Sequence, residues 1–376
     1  MRRCRNIVRP LSCKRKGITT MPDNTKQKVV LGMSGGVDSS VAAVLLLQQG
    51  FEVIGVTMKL WQDSRFAKNT SDASDDAKKI CDTLGIQHYT LDLADKFKKY
   101  VVDNFIECYS HGRTPNPCVE CNKKLKFGAM FDFADKLGAR FVATGHYAKC
   151  CYDEQLGMQV IKKSDSAKKD QSYVLYVVKK EYVPRVLFPL GDFENKDQIR
   201  AIAAEHGLIS AKKPDSQEIC FIPDNDTAGF LDAYIKPKCG NIVDKNGNIL
   251  GRHTGLAHYT IGQRKGLGIS APKPLFVTSI DEKSNTVTVG DNEDLFSNEL
   301  YAENTNWLIF DELKEPIRAC AKIRYAAKEM PAEVIPCGNG RIKVIFDEPQ
   351  RAATAGQSVV FYINDCLIGG GIIINI

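Results

Sequence analysis

From Lys28 to about Leu190, short apolar runs alternate with longer stretches of helical periodicity. Val29–Met33, Val53–Met58, His88–Leu91 and Arg140–Thr144 read as strands, and Val41–Gln49, Asp75–Leu84 and Phe127–Leu137 as helices. Strand and helix in alternation predict an α/β fold with a doubly wound parallel sheet. Such sheets bind ligands beyond the carboxyl ends of their strands. Met58 ends the second run and Gly145-His146 follow a later one, so both are expected on the rim where the first strand ends. Beyond about residue 222, Gly, Asn and Asp become frequent and helical periodicity fades. From about Tyr301, the alternating runs Ala319–Tyr325, Arg341–Phe346 and Ser358–Ile363 are separated by turn signals, of which Gly338-Asn339-Gly340 is the clearest. They predict a small antiparallel β-barrel. The expected organisation is an extension over 1–26, a catalytic domain over 27–222, a small central domain over 223–292 and the barrel over 293–376.

Composition adds little to this picture. Charged and hydrophobic fractions of 26% and 43% belong to an ordinary globular chain, and no apolar stretch is long enough to span a bilayer. The net charge of +6 suggests a nucleic-acid partner, but the first 26 residues alone carry +7. The remainder is nearly neutral, so any RNA-binding surface must be local. Lys123-Lys124-Leu125-Lys126 and the pairs Lys162-Lys163 and Lys168-Lys169 are candidates, although most lysine runs are simply solvated. The basic, acid-poor first twenty residues suit either a mitochondrial presequence or a start codon assigned too early, with Met21 as the bacterial start. The two imply mitochondrial and cytoplasmic locations respectively.

Two segments carry the chemistry. Gly32-Met33-Ser34-Gly35-Gly36-Val37-Asp38-Ser39 joins the first strand to the first helix. A glycine turn opening a helix gathers backbone N–H groups and the positive end of the helix dipole, which makes an anion site. The GxxxxGK[ST] pattern is absent, so no lysine of the loop itself reaches a γ-phosphate. The second segment is Thr114-Pro115-Asn116-Pro117-Cys118-Val119-Glu120-Cys121-Asn122, stiffened by two prolines before a helical stretch. A cysteine at a helix start with lysines following is expected to have a depressed thiol pKa. With no second CxxC or HxxxH in the chain, half a zinc knuckle is the weaker reading. Thirteen irregularly spaced cysteines suggest a reducing compartment rather than a disulfide scaffold. Cys81, Cys150, Cys320 and Cys366 read as small core residues, whereas Cys118, Cys121 and Cys220 lie in polar segments. Asp215-Ser216-Gln217-Glu218-Ile219-Cys220-Phe221-Ile222 is weak evidence alone, but beside an anion loop and an activated cysteine it suggests sulfur carried as a persulfide and resolved as a disulfide.

The SGGVDSS loop resembles the pyrophosphate loop (PP-loop) of ATP pyrophosphatases. Together with GRTPNPCVECNKKLKF, ATGHY, KDQSY, DSQEICFI, YTIGQRKGLG, KIRY and AGQSVVFY, in this order, it resembles the tRNA-specific 2-thiouridylases from about Lys28 to the C-terminus. The resemblance implies an N-terminal PP-loop domain, a central domain and a C-terminal β-barrel gripping the tRNA anticodon arm. It implies ATP, with Mg²⁺, on Gly32, Met33, Ser34, Gly35, Gly36, Val37, Asp38, Ser39, Met58 and Gly145, with Asp38 also catalytic. It implies Cys121 as nucleophile and Cys220 as persulfide carrier. Asn116, Pro117 and Cys118 would approach the target base, and His146, Lys169, Asp170, Gln171, Arg324, Tyr325 and Gln357 would touch tRNA. Many members carry Asp where this chain has Cys118, and a thiol is a poor substitute for a carboxylate base. No resident metal is expected; the alternative is an iron–sulfur cluster (4Fe–4S) on Cys118, Cys121 and Cys220.

The activity implied is 2-thiolation of the wobble uridine, position 34, in the tRNAs for Lys, Glu and Gln, yielding 2-thiouridine, AMP and pyrophosphate. Sulfur would come from a donor protein, such as a cysteine desulfurase or a relay carrier, and no membrane is involved. A small-molecule ligase on the same loop, of argininosuccinate or GMP synthetase type, would need neither the cysteine pair nor the barrel. A relic nucleotide fold acting only in RNA or metal binding would not need a complete SGGVDSS.

Overall fold

The computed structural model describes residues 13–14, 26–63, 65, 73–213, 219–222 and 226–374. The expected extension, apart from the two-residue strand at 13–14, and the polar run Asp215–Glu218 therefore lie outside the described residues. In chain order the first strands are β1 (Cys13–Lys14), β2 (Lys28–Gly32), β3 (Glu52–Lys59), β4 (Gln87–Asp92) and β5 (Phe141–Ala143). They are followed by β6 (Ala148–Asp153), β7 (Met158–Lys163) and β8 (Val186–Leu187). Five of these form a parallel sheet in the order β4-β3-β2-β5-β8. The strand that feeds the glycine turn is thus the central one, flanked by neighbours on both sides.

Alternation along β2 divides the core into two layers. Val29 and Leu31 pack with helix α1 (Val37–Gln48), helix α2 (Ala73–Leu84) and the helix Lys196–Glu205. Val30 faces the other way, into Met130, Phe131, Ala134 and the buried Tyr173–Val178 segment. A strand covered on both faces has no polar side, which is why Val29-Val30-Leu31 is an unbroken apolar run. The doubly wound expectation holds.

The C-terminal barrel is built from β13 (Phe296–Trp307), β14 (Ile317–Lys322), β15 (Met330–Pro336), β16 (Ile342–Arg351), β17 (Ser358–Ile363) and β18 (Cys366–Ile374). Pairing runs β18-β13-β16-β15-β14-β17 and closes through β17–β18, so all six strands are paired on both sides. Between sheet and barrel lies a four-stranded sheet of β9 (Gly240–Val243), β10 (Ile249–His253), β11 (Phe276–Asp281) and β12 (Thr286–Gly290), in the order β10-β9-β12-β11. It closes over its own small core of Ile242, Val277, Val287 and Val289.

One connection does not follow the expected partition. Hairpin β6–β7 belongs by sequence to the catalytic region, yet β7 pairs with barrel strand β18 at Cys366↔Lys162 and Leu367↔Ile161. The buried ion pair between Lys162 and Asp153 (3.3 Å) lies on this hairpin. Cys151 of the same hairpin is disulfide-bonded, although the irregular cysteine spacing suggested a reducing compartment. The expected helix at 127–137 starts earlier than its periodicity suggests: it begins at Pro117, passes through a wider turn over Asn122–Ala129 and ends at Lys136.

The barrel abuts the other core where β18 is glycine-rich. A Cβ on Gly370 would lie 2.7 Å from both the Tyr176 ring and the Val359 carbonyl oxygen. Gly370→Ala is expected to cost about 1–3 kcal/mol through overpacking, read as a lowered thermal midpoint. An unchanged midpoint would mean that this junction yields without cost.

Candidate active site

β2 delivers the chain into Met33, whose N–H is bound by the Val56 carbonyl at 2.8 Å and whose carbonyl accepts from Thr57 Oγ1 at 2.9 Å. The turn that follows needs Gly35 at φ +69°, a left-handed geometry that a side chain resists. Gly36 then opens α1 with no side-chain cap. An uncapped start leaves first-turn N–H groups available to an anion. The hydroxyls shape the turn from within: Ser39 Oγ accepts from Ser34 N–H (3.2 Å) and donates to the Gly36 carbonyl (3.1 Å), and Ser40 Oγ donates to that carbonyl at 2.8 Å. Gly145 arrives from the end of β5 so closely that a Cβ there would lie 3.0 Å from Asp38 C and Ser39 N. Met58, one residue before the end of β3, is half-buried on the same rim.

Residues that no local pattern singled out complete this end of the sheet. Asp38 accepts from Tyr147 Oη at 2.8 Å and from Lys196 Nζ at 3.0 Å. Lys213 Nζ donates to the Gly35 carbonyl at 3.0 Å and to Asp76 Oδ2 at 2.5 Å. The loop lacks a lysine of its own, but distant parts of the chain bring two to it.

The cysteine segment is held from two sides. Asn116 caps the helix Pro117–Cys121 through its side chain, which accepts from Val119 N–H at 3.3 Å. Behind it, Gln357 Nε2 donates to the carbonyls of Thr114 (2.9 Å) and Pro115 (3.1 Å), and Thr114 N–H donates to the Ala355 carbonyl at 2.9 Å. Gly356, at φ +91°, allows this approach, since a Cβ would sit 2.9 Å from the Thr114 carbonyl oxygen. The barrel loop therefore fixes the segment that carries Cys118 and Cys121.

Cys220 is brought to the same place by its neighbours. Phe221 and Ile222 are buried in one apolar cluster with Cys121, Phe97, Phe105, Leu125 and Phe230. The Phe221 ring meets Phe97, Phe105 and Phe230 at centroid distances of 5.7, 5.3 and 5.4 Å. Burial pushes the Cys220 thiol up to about 12, and the nearby Cys121 and Cys118 thiols add to the effect, although the residue as a whole still shows surface. Cys121 is buried and raised for the same first reason, with Lys126 pulling it back and Cys118 raising it further. The expectation of a depressed thiol pKa at this helix start is thus overturned for Cys121: removal from water outweighs the helix start and the lysines. The mutual influence of the three thiols puts Cys118, Cys121 and Cys220 in one neighbourhood. Lys126 also acts on His146, the residue after Gly145, which ties the cysteines to the rim of the anion loop.

The remaining expected tRNA residues divide. Tyr325 is 43% exposed and lies within electrostatic reach of Cys118, and Cys118 and Lys168 are exposed. Lys169 is half-buried and closes the same turn, its N–H donating to the Ser166 carbonyl at 3.1 Å. His146 is buried beside Phe127 and Phe188, its Nδ1 2.7 Å from Thr144 Oγ1, and burial holds its imidazole neutral. Asp170 accepts from Ser164 N–H (3.0 Å) and Ser172 Oγ (2.7 Å), and Gln171 Oε1 accepts from Tyr147 N–H (3.0 Å). Arg324 Nη2 donates to the carbonyls of Ile261 (3.1 Å) and Ala352 (2.9 Å) and to Thr354 Oγ1 (2.5 Å), joining the barrel to the chain before β11. These four side chains brace the protein itself in this form. Among the described residues, no group of three His, Cys, Asp or Glu side chains is arranged to hold a metal ion.

A parallel sheet whose central strand ends in an uncapped SGGVDSS turn, with a paired-cysteine site on the same rim, defines an ATP pyrophosphatase of the PP-loop class. Residues 27–224 match the family described as tRNA methyl transferase HUP domain, 228–291 its PRC-barrel domain, and 297–373 the aminomethyltransferase beta-barrel domain. The tRNA-specific 2-thiouridylase MnmA of Clostridioides difficile is 51% identical over 92% of this chain and 98% of its own length. Its counterpart in Acetivibrio thermocellus is 49% identical over 93% and 99%. The chain belongs to the tRNA-specific 2-thiouridylase family. Among solved structures, the U34-tRNA thiolase NcsA from Methanococcus maripaludis with its 4Fe–4S cluster overlaps 56% of this chain and 65% of that one, at 21% identity and a TM-score of 0.33, too loose a likeness to argue from.

The raised thiols make a direct prediction. Without ATP and tRNA, alkylation of Cys220 by iodoacetamide, followed by peptide mass spectrometry, should stay slow through pH 9 and rise only as the pH approaches the thiol's value of about 12. A rate that saturates near pH 8 would mean that the thiol is not desolvated.

Proposed function

We propose that this chain, a tRNA-specific 2-thiouridylase by family, replaces the C2 oxygen of the wobble uridine with sulfur at the expense of ATP. The observation that carries the reading is the convergence of Cys121 and Cys220, through the cluster around Phe221, beside an ATP loop. A urea-type carbonyl oxygen is a hopeless leaving group until it is phosphorylated. In the proposed first step, uridine O2 bonds to the α-phosphorus, the bond to the bridging oxygen breaks, and pyrophosphate leaves with the electron pair while the N3 proton passes to water. First-turn N–H groups of α1 stabilise the charge that develops. Mg²⁺ would arrive with the nucleotide's phosphates.

In the second step the terminal sulfur of a Cys220 persulfide attacks C2, and AMP departs. Cys121 then attacks Cys220 Sγ; the old S–S bond gives its electrons to the sulfur on C2, and a Cys121–Cys220 disulfide remains. A thiol reductant and a sulfur-donor protein, of cysteine desulfurase or relay type, restore the persulfide. Raised thiol pKa values suit this order, because they suppress reaction before the substrate docks. Cys118 stands exposed, and the exposed Tyr325, within its electrostatic reach, offers a ring on which an extruded base would stack. We take the anticodon loops of the Lys, Glu and Gln tRNAs as substrates on the family resemblance; extruding a base from a single-stranded loop is cheap. We take the cytoplasm as the compartment; among the described residues no helix is long and apolar enough to cross a membrane.

The test is nucleoside mass spectrometry of tRNA incubated with ATP and persulfide donor. Cys220→Ser and Cys121→Ser should each abolish 2-thiouridine, and only Cys220→Ser should also lose protein-bound persulfide. Sulfur mapping to Cys239 or Cys81 instead would sink the assignment.

The cluster alternative yields to a separate measurement. Iron-free enzyme supplied with persulfide should thiolate at the full rate, and Cys118→Asp should remain active. Activity that tracks iron and labile sulfide content would reverse that conclusion.

A further inference from the structure

The loop motif contains no lysine, and phosphoryl chemistry without a nearby cation is slow. Two ammonium groups reach the turn from the C-terminal part of the domain. Lys196, the first residue of its helix, is committed to Asp38 at 3.0 Å, with its side chain 14% exposed. Lys213 is placed differently. Its Nζ bridges the Gly35 carbonyl (3.0 Å) and Asp76 Oδ2 (2.5 Å), and its side chain keeps 34% of its surface. Asp76 sits in the first turn of α2, 12% exposed, and its other oxygen is 3.9 Å from Lys79. Gly35 is the left-handed residue of the turn itself. A cation is thus held against the backbone of the phosphate loop, open to solvent on one side and anchored by a carboxylate on the other.

We propose that Lys213 binds the departing pyrophosphate, with Asp76 as its positioning carboxylate. The inference rests on the reading that ATP phosphates occupy the glycine turn. As O2 of uridine bonds to the α-phosphorus, the bridging oxygen takes the electron pair of the breaking bond and the N3 proton goes to water; nothing is oxidised or reduced. Negative charge grows on the β-phosphate during that step. An ammonium already within 3.0 Å of the turn meets the new charge with little reorganisation. Its bond to the Gly35 carbonyl is the one given up, while Asp76 keeps the side chain aimed. Because the interaction strengthens in the transition state, it acts on kcat more than on ATP affinity. The chain thereby obtains from a remote segment what a Walker loop carries within its own motif.

The experiment compares Lys213→Met, Lys213→Arg and Asp76→Asn in the full-length enzyme, measuring thiolation kcat, KM for ATP, and inhibition by pyrophosphate and by AMP. Lys213→Met should lower kcat roughly 100-fold, the usual size for one lost charge-stabilising donor, with KM for ATP within a few-fold. Its inhibition constant for pyrophosphate should rise about tenfold or more, equivalent to about 1.4 kcal/mol, while that for AMP stays put. Lys213→Arg should recover most of both, and Asp76→Asn should fall between. A general folding defect would weaken AMP and pyrophosphate alike, and that result overturns the proposal. Photolabelling with azido-ATP separates the two levels. Label at the turn with unchanged pyrophosphate inhibition in Lys213→Met overturns this inference alone; label elsewhere in the wild type overturns the ATP reading with it.

Discussion

The proposed sulfur transfer needs two sulfurs within bonding distance, and Cys121 and Cys220 lie in separate parts of the sequence. What joins them is an apolar contact. Phe221 inserts its ring among Phe97, Phe105 and Phe230, in the same cluster that buries Cys121. A phenylalanine removed from water contributes about 1.5–3 kcal/mol, enough to hold the short segment bearing Cys220 against a surface that it would otherwise leave. The same packing raises the pKa of both thiols and keeps them protonated, although Cys220 retains some surface. Proximity and quiescence therefore have one cause.

Around that contact the other parts act as braces. Gln357 and Gly356 hold the proline-rich segment from the barrel side, and Asn122 ties its far end to the Val174 carbonyl at 2.9 Å. Arg324 links barrel and central region while its Nε remains buried with no partner. Glu329 Oε2 is in the same condition. Buried polar atoms of this kind are costly, and Arg324 is the chain neighbour of the exposed Tyr325.

The parts legible in the sequence were those governed by neighbours in the chain. A strand, a glycine turn and a helix start are local, so SGGVDSS announced the anion loop and Met58 and Gly145 fell on its rim. The barrel followed from period-two alternation in the last third. Long-range partners were not legible: nothing around Lys196, Lys213 or Asp76 distinguishes them from solvated charges, and only the fold brings them to the turn. The thiol pKa was misjudged for a related reason. A helix start and flanking lysines can be read from spacing, whereas desolvation is set by Phe97, Phe105 and Phe230, far away in the chain. His146, Asp170, Gln171 and Arg324 were expected at tRNA from the family resemblance alone, and in the structure their side chains hydrogen-bond within the protein.

Hairpin β6–β7 and its pairing to β18 bear on how this architecture can change. A domain that meets its neighbour only through side chains can be exchanged, because the interface is negotiable residue by residue. Here the first residues of barrel strand β18, Cys366 and Leu367, are paired through the backbone with a hairpin encoded about two hundred residues upstream. A recombination event that replaced the C-terminal third would leave that hairpin as a bare sheet edge, prone to self-association, and would loosen Thr114 as well. The middle of the chain and its last third are therefore bound to be inherited together, and an insertion that is harmless in the turn at Gly338-Asn339-Gly340 would be far less tolerable between Lys163 and Tyr173.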